Sequence, residues 1–345
     1  MKLLLLVLLG LSAAAVDAFS CKDQFDNDVD WWFAYKMPKF KGDNSIKGLA
    51  DGYAFYYLDA RNPTFVASDK DLTSEEQAIA YTMNQFYSAK DDPSVFHALY
   101  SDQVPVENLG LFEKIANMSD FKSYQHGHIK GVTFFDKTDG VLYSHSVPKF
   151  PSPDGYRYPE SATTYAEEGR HATLLQSPGH LLLATPLLHG ARQPDLAKVI
   201  GGKYQKGEPT SSVVDLISKA GATFRSFAKT GEFDDDLYNG LVAPALKTPL
   251  AVETWRRGSV IELDCAATYR VLDVQEMKVG SSPAFKYTKD HSKTAISPSA
   301  ASPVVCIGDV NRMMSQYSRG GGTTCFSNAA VWKAYSSAVQ STNVC

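Results

Sequence analysis

Two short stretches, Gly127-His128-Ile129-Lys130 and Asp290-His291-Ser292-Lys293, constrain this chain more than any other feature, because the same pattern follows each. Seventeen positions after His128 stands His145-Ser146-Val147-Pro148, and seventeen after His291 stands Gly308-Asp309-Val310-Asn311. An apolar run containing Val or Leu leads into both, so the echo covers a strand-turn-strand unit. Self-similarity of this kind is read before other fold signals, and it predicts two related halves that build one site. If each His-x-Lys lies in a strand, the period of two puts imidazole and ammonium on one face. That pairing suits attack on a phosphodiester: an imidazole forms the covalent bond to phosphorus and an ammonium binds the phosphate oxygens. Two exposed His-Lys pairs with ordinary ion-pair roles would give the same pattern.

The start of the chain sets the compartment. Lys2 is followed by an apolar run over residues 3–16 and then Val16-Asp17-Ala18, a small-residue cleavage pattern. The run is short for a membrane span and lacks a stop-transfer flank, so residues 1–18 read as a secretory signal peptide with no membrane anchor after it. Five cysteines suit an oxidising compartment. Four of them, Cys265, Cys306, Cys325 and Cys345, crowd the C-terminal part and predict two disulfides there, with three pairings open. Cys21 is left over, either free or joined to another chain. Asn117-Met118-Ser119 is an N-glycosylation sequon.

A net charge of −4 argues against strong nucleic-acid binding at neutral pH. Acid changes this: one proton on each of the eight histidines carries the formal charge to about +4. A protein that meets a polyanion only in acid has this balance, as do secreted proteins of other kinds.

Residues 29–36 and 51–59 read as aromatic strands, and 72–88 as a helix with Thr73 as N-cap and Glu76 closing a capping box. Residues 130–136 and 140–145 predict a hairpin. Gly201-Gly202 and Lys206-Gly207-Glu208-Pro209 mark the boundary between an N-terminal half, 19–204, and a C-terminal half, 205–345. The second half opens on 222–229, an aromatic strand ending in lysine like residues 31–36. Asp234-Asp235-Asp236 then starts a helix towards Leu246, as a cap and dipole partner or, alternatively, as a divalent-metal cluster. His126 and His128 invite a metal-pair reading, but no further ligands accompany them, and no metal or other cofactor is expected. Arg319-Gly320-Gly321-Gly322 lacks the Lys-Ser/Thr of a P-loop and reads as a flexible loop.

These stretches together resemble deoxyribonuclease II. The resemblance is carried by the two His-x-Lys motifs, His145-Ser146-Val147-Pro148, Ser226-Phe227-Ala228-Lys229, Asp235-Asp236-Leu237-Tyr238, Cys306 to Arg312 and Arg319-Gly320-Gly321-Gly322. Val29-Asp30-Trp31 with Tyr35-Lys36 and Ser101-Asp102-Gln103 add to it, and it runs from about residue 21 to 345 in family order. It implies a mixed α/β, phospholipase D-like pseudo-dimer with the active site between its halves. It also implies a metal-independent acid endonuclease that leaves 3′-phosphate ends on DNA, lysosomal or secreted, with a homodimer plausible. Carried over by position, His128, Lys130, His291 and Lys293 are the catalytic set, with one histidine as nucleophile and the other as general acid. Asp309, Asn311 and His145 stand where the family supports the site. The chain departs from the family at Ser161-Ala162-Thr163-Thr164-Tyr165, where the usual partner of the first cysteine is missing, and at Thr294, where an aromatic is usual. The alternatives are a phosphodiesterase acting on another substrate such as phospholipid, and a catalytically inactive DNA-binding or toxin-like protein.

Overall fold

Strand Trp31–Lys36 (β1) is buried along its whole length, and its period of two divides its side chains between two cores. Trp31, Phe33 and Tyr35 enter one, Trp32 and Ala34 the other. A strand covered on both faces needs a continuous apolar run, which is what this sequence supplies. The computed structural model describes residues 18–101, 127–147, 149–159, 170–178 and 207–345, with only the backbone for 101 and 170–178. The signal-peptide run, Asn117, His126, the 161–165 stretch and the Gly201-Gly202 boundary lie outside these residues.

The fold is mixed α/β, dominated by two large sheets. In the first, β1 lies between Phe55–Asp59 (β2) and Arg170–Pro178 (β6), and the sheet continues through Asp139–His145 (β5) and Lys130–Phe135 (β4) to Phe96–Ser101 (β3). In the second, Thr223–Lys229 (β8) lies between Ser211–Ile217 (β7) and Gly321–Ser327 (β13). That sheet continues through Val304–Gly308 (β12), Thr294–Ile296 (β11) and Leu250–Glu253 (β9) to Val271–Met277 (β10). The orders β1-β6-β5-β4-β3 and β8-β13-β12-β11-β9 are the same path through the chain, and every neighbouring pair in both is antiparallel. The sequence repeat is therefore a repeat of sheet topology.

The two sheets pack face to face. Phe326 of β13 lies with its ring centroid 5.1 Å from Trp31 and 4.2 Å from Phe224, the latter stacked, and Val305 and Ile307 of β12 join the same core. Aromatic pairs at such spacings add about 0.5–1.5 kcal/mol beyond their buried area. Each sheet carries helical structure on its outer face, inserted at the same point of the path. Helix Ala78–Ala89 (α1), between β2 and β3, covers the first through Ile79, Met83 and Phe86. The segment Tyr238–Leu246, between β8 and β9, covers the second through Tyr238 and Val242.

Helix α1 begins six residues later than the sequence pattern predicts. Gln77, not Thr73, is its N-cap, its side chain accepting from the Ile79 amide at 2.7 Å, while Thr73 is held by the Asp71 carboxylate in the preceding turn. Asx-turns compete with helix starts for the same residues. The Asp234-Asp235-Asp236 run acts as a cap: Asp236 accepts from the amides of Tyr238 and Asn239 at 3.2 and 2.8 Å. Among the described residues no group of three or more His, Cys, Asp or Glu side chains is placed to hold a metal. The four C-terminal cysteines form Cys265–Cys345 and Cys306–Cys325, the second joining directly paired positions of β12 and β13. Cys21 is a buried free thiol. Among the described residues no helix is long and apolar enough to cross a membrane.

Candidate active site

Neither His-x-Lys motif lies within a strand. Each sits at the mouth of one, with Lys130 the first residue of β4 and Lys293 the residue before β11. The predicted common face is therefore replaced by a common edge. The turn of each hairpin is at the far end, so β5 and β12 return to that edge, ending at His145 and Gly308. The strand-end lysines Lys36 and Lys229 close β1 and β8 at matched positions.

Residues 308–309 join the two motifs. The Gly308 amide donates to the Lys293 carbonyl at 2.8 Å, and the Asp309 carbonyl meets Nδ1 of His128. The His128 amide in turn donates to the Gly320 carbonyl at 2.8 Å. His128 from the first half is thus clamped between two loops of the second. Because a carbonyl only accepts, Nδ1 carries the hydrogen and the imidazole's lone pair is on Nε2. Burial holds His128 well below the ordinary imidazole range, helped by the cations of Lys130, Lys293 and Arg319; the Asp309 carbonyl opposes them. Lys130 and Lys293 are themselves buried, so both ammonium groups are close to one imidazole and shielded from water.

His291 has a different setting. Its ring lies against Trp255, centroids 4.5 Å apart and planes 34° from parallel. An aromatic ring face of this kind attracts cations. The backbone beside it is fixed by Asp290, whose carboxylate accepts from the Tyr35 hydroxyl of β1 and from the Ser292 amide at 2.8 Å. Lys293 Nζ donates to the His291 carbonyl at 2.5 Å. Burial raises the Asp290 carboxyl, while the Tyr35 hydroxyl pulls it down. Glu253, at the end of β9 and directly paired with Thr294, is fully buried, with no hydrogen bond to either carboxyl oxygen among the described residues. Burial and the neighbouring Asp290 push its carboxyl well above the usual range, which favours the protonated form.

The supporting residues fare unequally. Asp309 uses its backbone on His128 and its side chain on the Gly322 amide, at 2.7 Å, so it ties the glycine loop to the site. Asn311 is buried near the same turn, its amide oxygen without a hydrogen bond among the described residues. His145 accepts from the Val147 amide at 3.2 Å through Nδ1 and packs between Tyr143 and Phe150, with centroids at 4.9 and 5.3 Å. It closes β5 beside Lys130 but sits in the aromatic core of the first half.

Sequence reasoning gave no role to Trp255, Glu253 or Arg319. A glutamate at the end of a four-residue strand and a tryptophan two positions later carry no local pattern. The Arg319 loop is recognisable by its glycines, and these are needed for close approach: a Cβ on Gly322 would collide with the Phe227 carbonyl.

Known proteins resemble this chain along nearly its whole length. The deoxyribonuclease II family model matches residues 20–174 and 185–345. Deoxyribonuclease-2 of Caenorhabditis elegans is 46% identical, with 96% of each chain covered, and deoxyribonuclease-2-alpha of Rattus norvegicus 36%, covering 99% of this chain and 98% of its own. Plancitoxin-1 of Acanthaster planci is 31% identical over 99% of this chain and 97% of its own. By both the model match and these identities over nearly its whole length, the chain belongs to the deoxyribonuclease II family.

Proposed function

We propose that this protein is an acid endonuclease that hydrolyses DNA phosphodiesters to 3′-phosphate ends, with His128 as nucleophile and His291 as general acid. The observation that carries this reading is the junction at Gly308 and Asp309, which binds the backbone of one His-x-Lys motif and the imidazole of the other. The matched strand paths support a phospholipase D-like pseudo-dimer, with halves 19–204 and 205–345 after a signal peptide over 1–18. The two disulfides suit a lysosomal or secreted protein, which the family resemblance extends to a homodimer.

The chemistry follows from the two settings. Nε2 of His128, neutral even in acid, attacks phosphorus; the N–P bond forms as the P–O5′ bond breaks. His291, protonated against Trp255, gives its proton to the departing 5′-oxygen. It then takes a proton from water, which attacks phosphorus, breaks the N–P bond and releases the 3′-phosphate. Lys130 and Lys293 stabilise the added charge of both transition states, a task that water exclusion strengthens. No step calls for a metal. Acid dependence arises because the nucleophile must be neutral while the general acid is charged, so the enzyme works where only His291 holds a proton.

The test is nicking of supercoiled plasmid in EDTA at about pH 5 and about pH 7.5, wild type beside His291→Ala. Cutting in acid alone, lost in the variant, is expected. A need for a divalent ion, or cutting that survives the substitution, overturns the two-histidine reading. DNA binding in acid without cutting would make the protein an inactive family member, and cleavage of phospholipid vesicles would change the substrate.

A further inference from the structure

The Arg319 loop belongs to the second half, yet it packs on the first. Lys229, buried at the end of β8, donates to three carbonyls of this loop, those of Gln316, Tyr317 and Arg319, at 2.9, 2.8 and 2.8 Å. A buried ammonium with three carbonyl acceptors has its full complement of hydrogen bonds, so the loop is fixed from beneath. From the other side Gly320 accepts from the His128 amide, and the approach is so close that a Cβ on Gly127 would stand 3.1 Å from the Gly320 carbonyl oxygen. The Asp309 carboxylate holds Gly322 at the far end. Between these ties the Arg319 side chain turns back over the first half, its guanidinium 3.5 Å from the Gly127 carbonyl and almost wholly buried. It therefore stands beside His128, on the residue immediately before it.

We propose that Arg319 is a third phosphate-binding cation of the site, its guanidinium taking a non-bridging oxygen of the scissile phosphodiester as His128 attacks. The inference rests on the nuclease reading above and adds to it a residue with its own chemistry. Lys130 and Lys293 are point charges, whereas a planar guanidinium offers two parallel N–H donors and fixes the orientation of the phosphate. Charge added to the non-bridging oxygens in the transition state strengthens such contacts, so the contribution falls on kcat more than on KM. The loop that carries Arg319 is rigid, which spares the reorganisation that a surface arginine would need.

The test compares Arg319→Gln and Arg319→Lys with wild type in steady-state cleavage of an oligonucleotide across pH, with thermal melting to establish the fold. Arg319→Gln is expected to lower kcat about 10²–10³-fold with KM for DNA changed only a few-fold. Its acid limb should also move up by about one pH unit, because a cation that disfavours protonated His128 is gone. Among the described residues, the groups left facing His128 include Lys130 of β4, Lys293 before β11 and the Asp309 carbonyl after β12; the Asp309 carboxylate is engaged by Gly322, and Tyr100 of β3 stays a neutral phenol. Arg319→Lys should keep the acid limb in place and still lose about tenfold in kcat, since the fork is lost and the charge is not. A cation beside His128 without phosphate contact would move the limb alone and leave kcat at its plateau near that of wild type. Full kcat in either folded variant, or a fixed limb in Arg319→Gln, overturns the proposal. If Arg319→Gln does not fold, Arg319→Lys alone decides it by its kcat. Wild type that fails to cut, or a His291→Ala control that cuts, places the failure in the nuclease reading instead.

Discussion

His128 and His291 hold matched positions at the mouths of β4 and β11, yet their surroundings have opposite character. Cations gather at His128, namely Lys130, Lys293 and Arg319. Beside His291 the Lys293 ammonium is joined by the Asp290 carboxylate, with Glu253 next to Asp290, and an indole face lies against its ring. Matched sheet paths bring two equivalent imidazoles to one edge, and the proposed two-step displacement needs unequal ones. The asymmetry comes from what each half lends the other. The second half contributes Lys293, Arg319 and the Asp309 carbonyl to His128; the first contributes the Tyr35 hydroxyl to the carboxylate beside His291.

The largest predicted effect separates the two roles with a substrate whose leaving group needs no proton. Thymidine 3′-(p-nitrophenyl phosphate) releases p-nitrophenolate, a stable anion in place of a 5′-alkoxide. On DNA both His128→Ala and His291→Ala should lose at least about 10³-fold in kcat. On the activated diester His291→Ala should give a near-normal burst of p-nitrophenolate and then stall as a phosphohistidine, while His128→Ala stays inactive. Mass spectrometry of the stalled enzyme should place the phosphate on His128. A burst in His128→Ala and none in His291→Ala would exchange the roles.

Much of the pairing between the halves was legible before any coordinates, because it rests on spacing. The seventeen-residue echo is a hairpin in each sheet, and the aromatic strands ending in Lys36 and Lys229 are its matched neighbours. The four residues proposed for the site were chosen by residue type and resemblance. What spacing does not encode is contact across the sheet interface. Nothing near Trp255 in the chain announces a histidine thirty-six positions on, and the Asp309 carbonyl acts through an atom every residue has. The helix start at Gln77 was misread because Asp71-Leu72-Thr73-Ser74 satisfies turn and cap chemistry alike, and the turn won. Strand placement of the motifs failed for a related reason: His-x-Lys has the right period for a strand, but both motifs sit where a strand meets a loop.

A smaller effect tests the carboxyl side of the comparison. Glu253 has a folded-state affinity for its proton well above that of the unfolded chain. The folded state therefore holds the proton more tightly, and stability is fully present below about pH 4 and falls as pH rises towards the folded value. Wild type should melt lower at pH 7.5 than at pH 4.5, and Glu253→Gln, which keeps shape without the ionisation, should melt several degrees higher than wild type at pH 7.5. At pH 4.5 the two should coincide. For a protein of this size about 1 kcal/mol corresponds to 2–4 °C, so calorimetry resolves the difference. A variant less stable than wild type at pH 7.5 would mean that Glu253 is ionised and paired with Lys293, and the contrast between a cationic and a protonated-carboxyl corner would fail.

The smallest effect lies at the ring contact itself. The Trp255 indole sits half-buried on His291 and also meets Arg257, with the guanidinium carbon 5.7 Å from the ring centroid. A ring face is worth about 0.5–1 kcal/mol to a cation in a partly exposed site, and 1.36 kcal/mol is one pH unit of proton affinity. Trp255→Leu keeps apolar cover but removes the quadrupole, so His291 should release its proton about half a pH unit earlier. The basic limb of kcat/KM should move down by that amount, costing a few-fold in rate at its upper end and almost nothing at its lower end. Trp255→Phe, which retains a weaker ring face, should fall between. The acid limb, set by His128 among its three cations, should stay where it is in both variants. Movement of the acid limb in Trp255→Leu would assign the ring to the nucleophile and invert the comparison on which the mechanism stands.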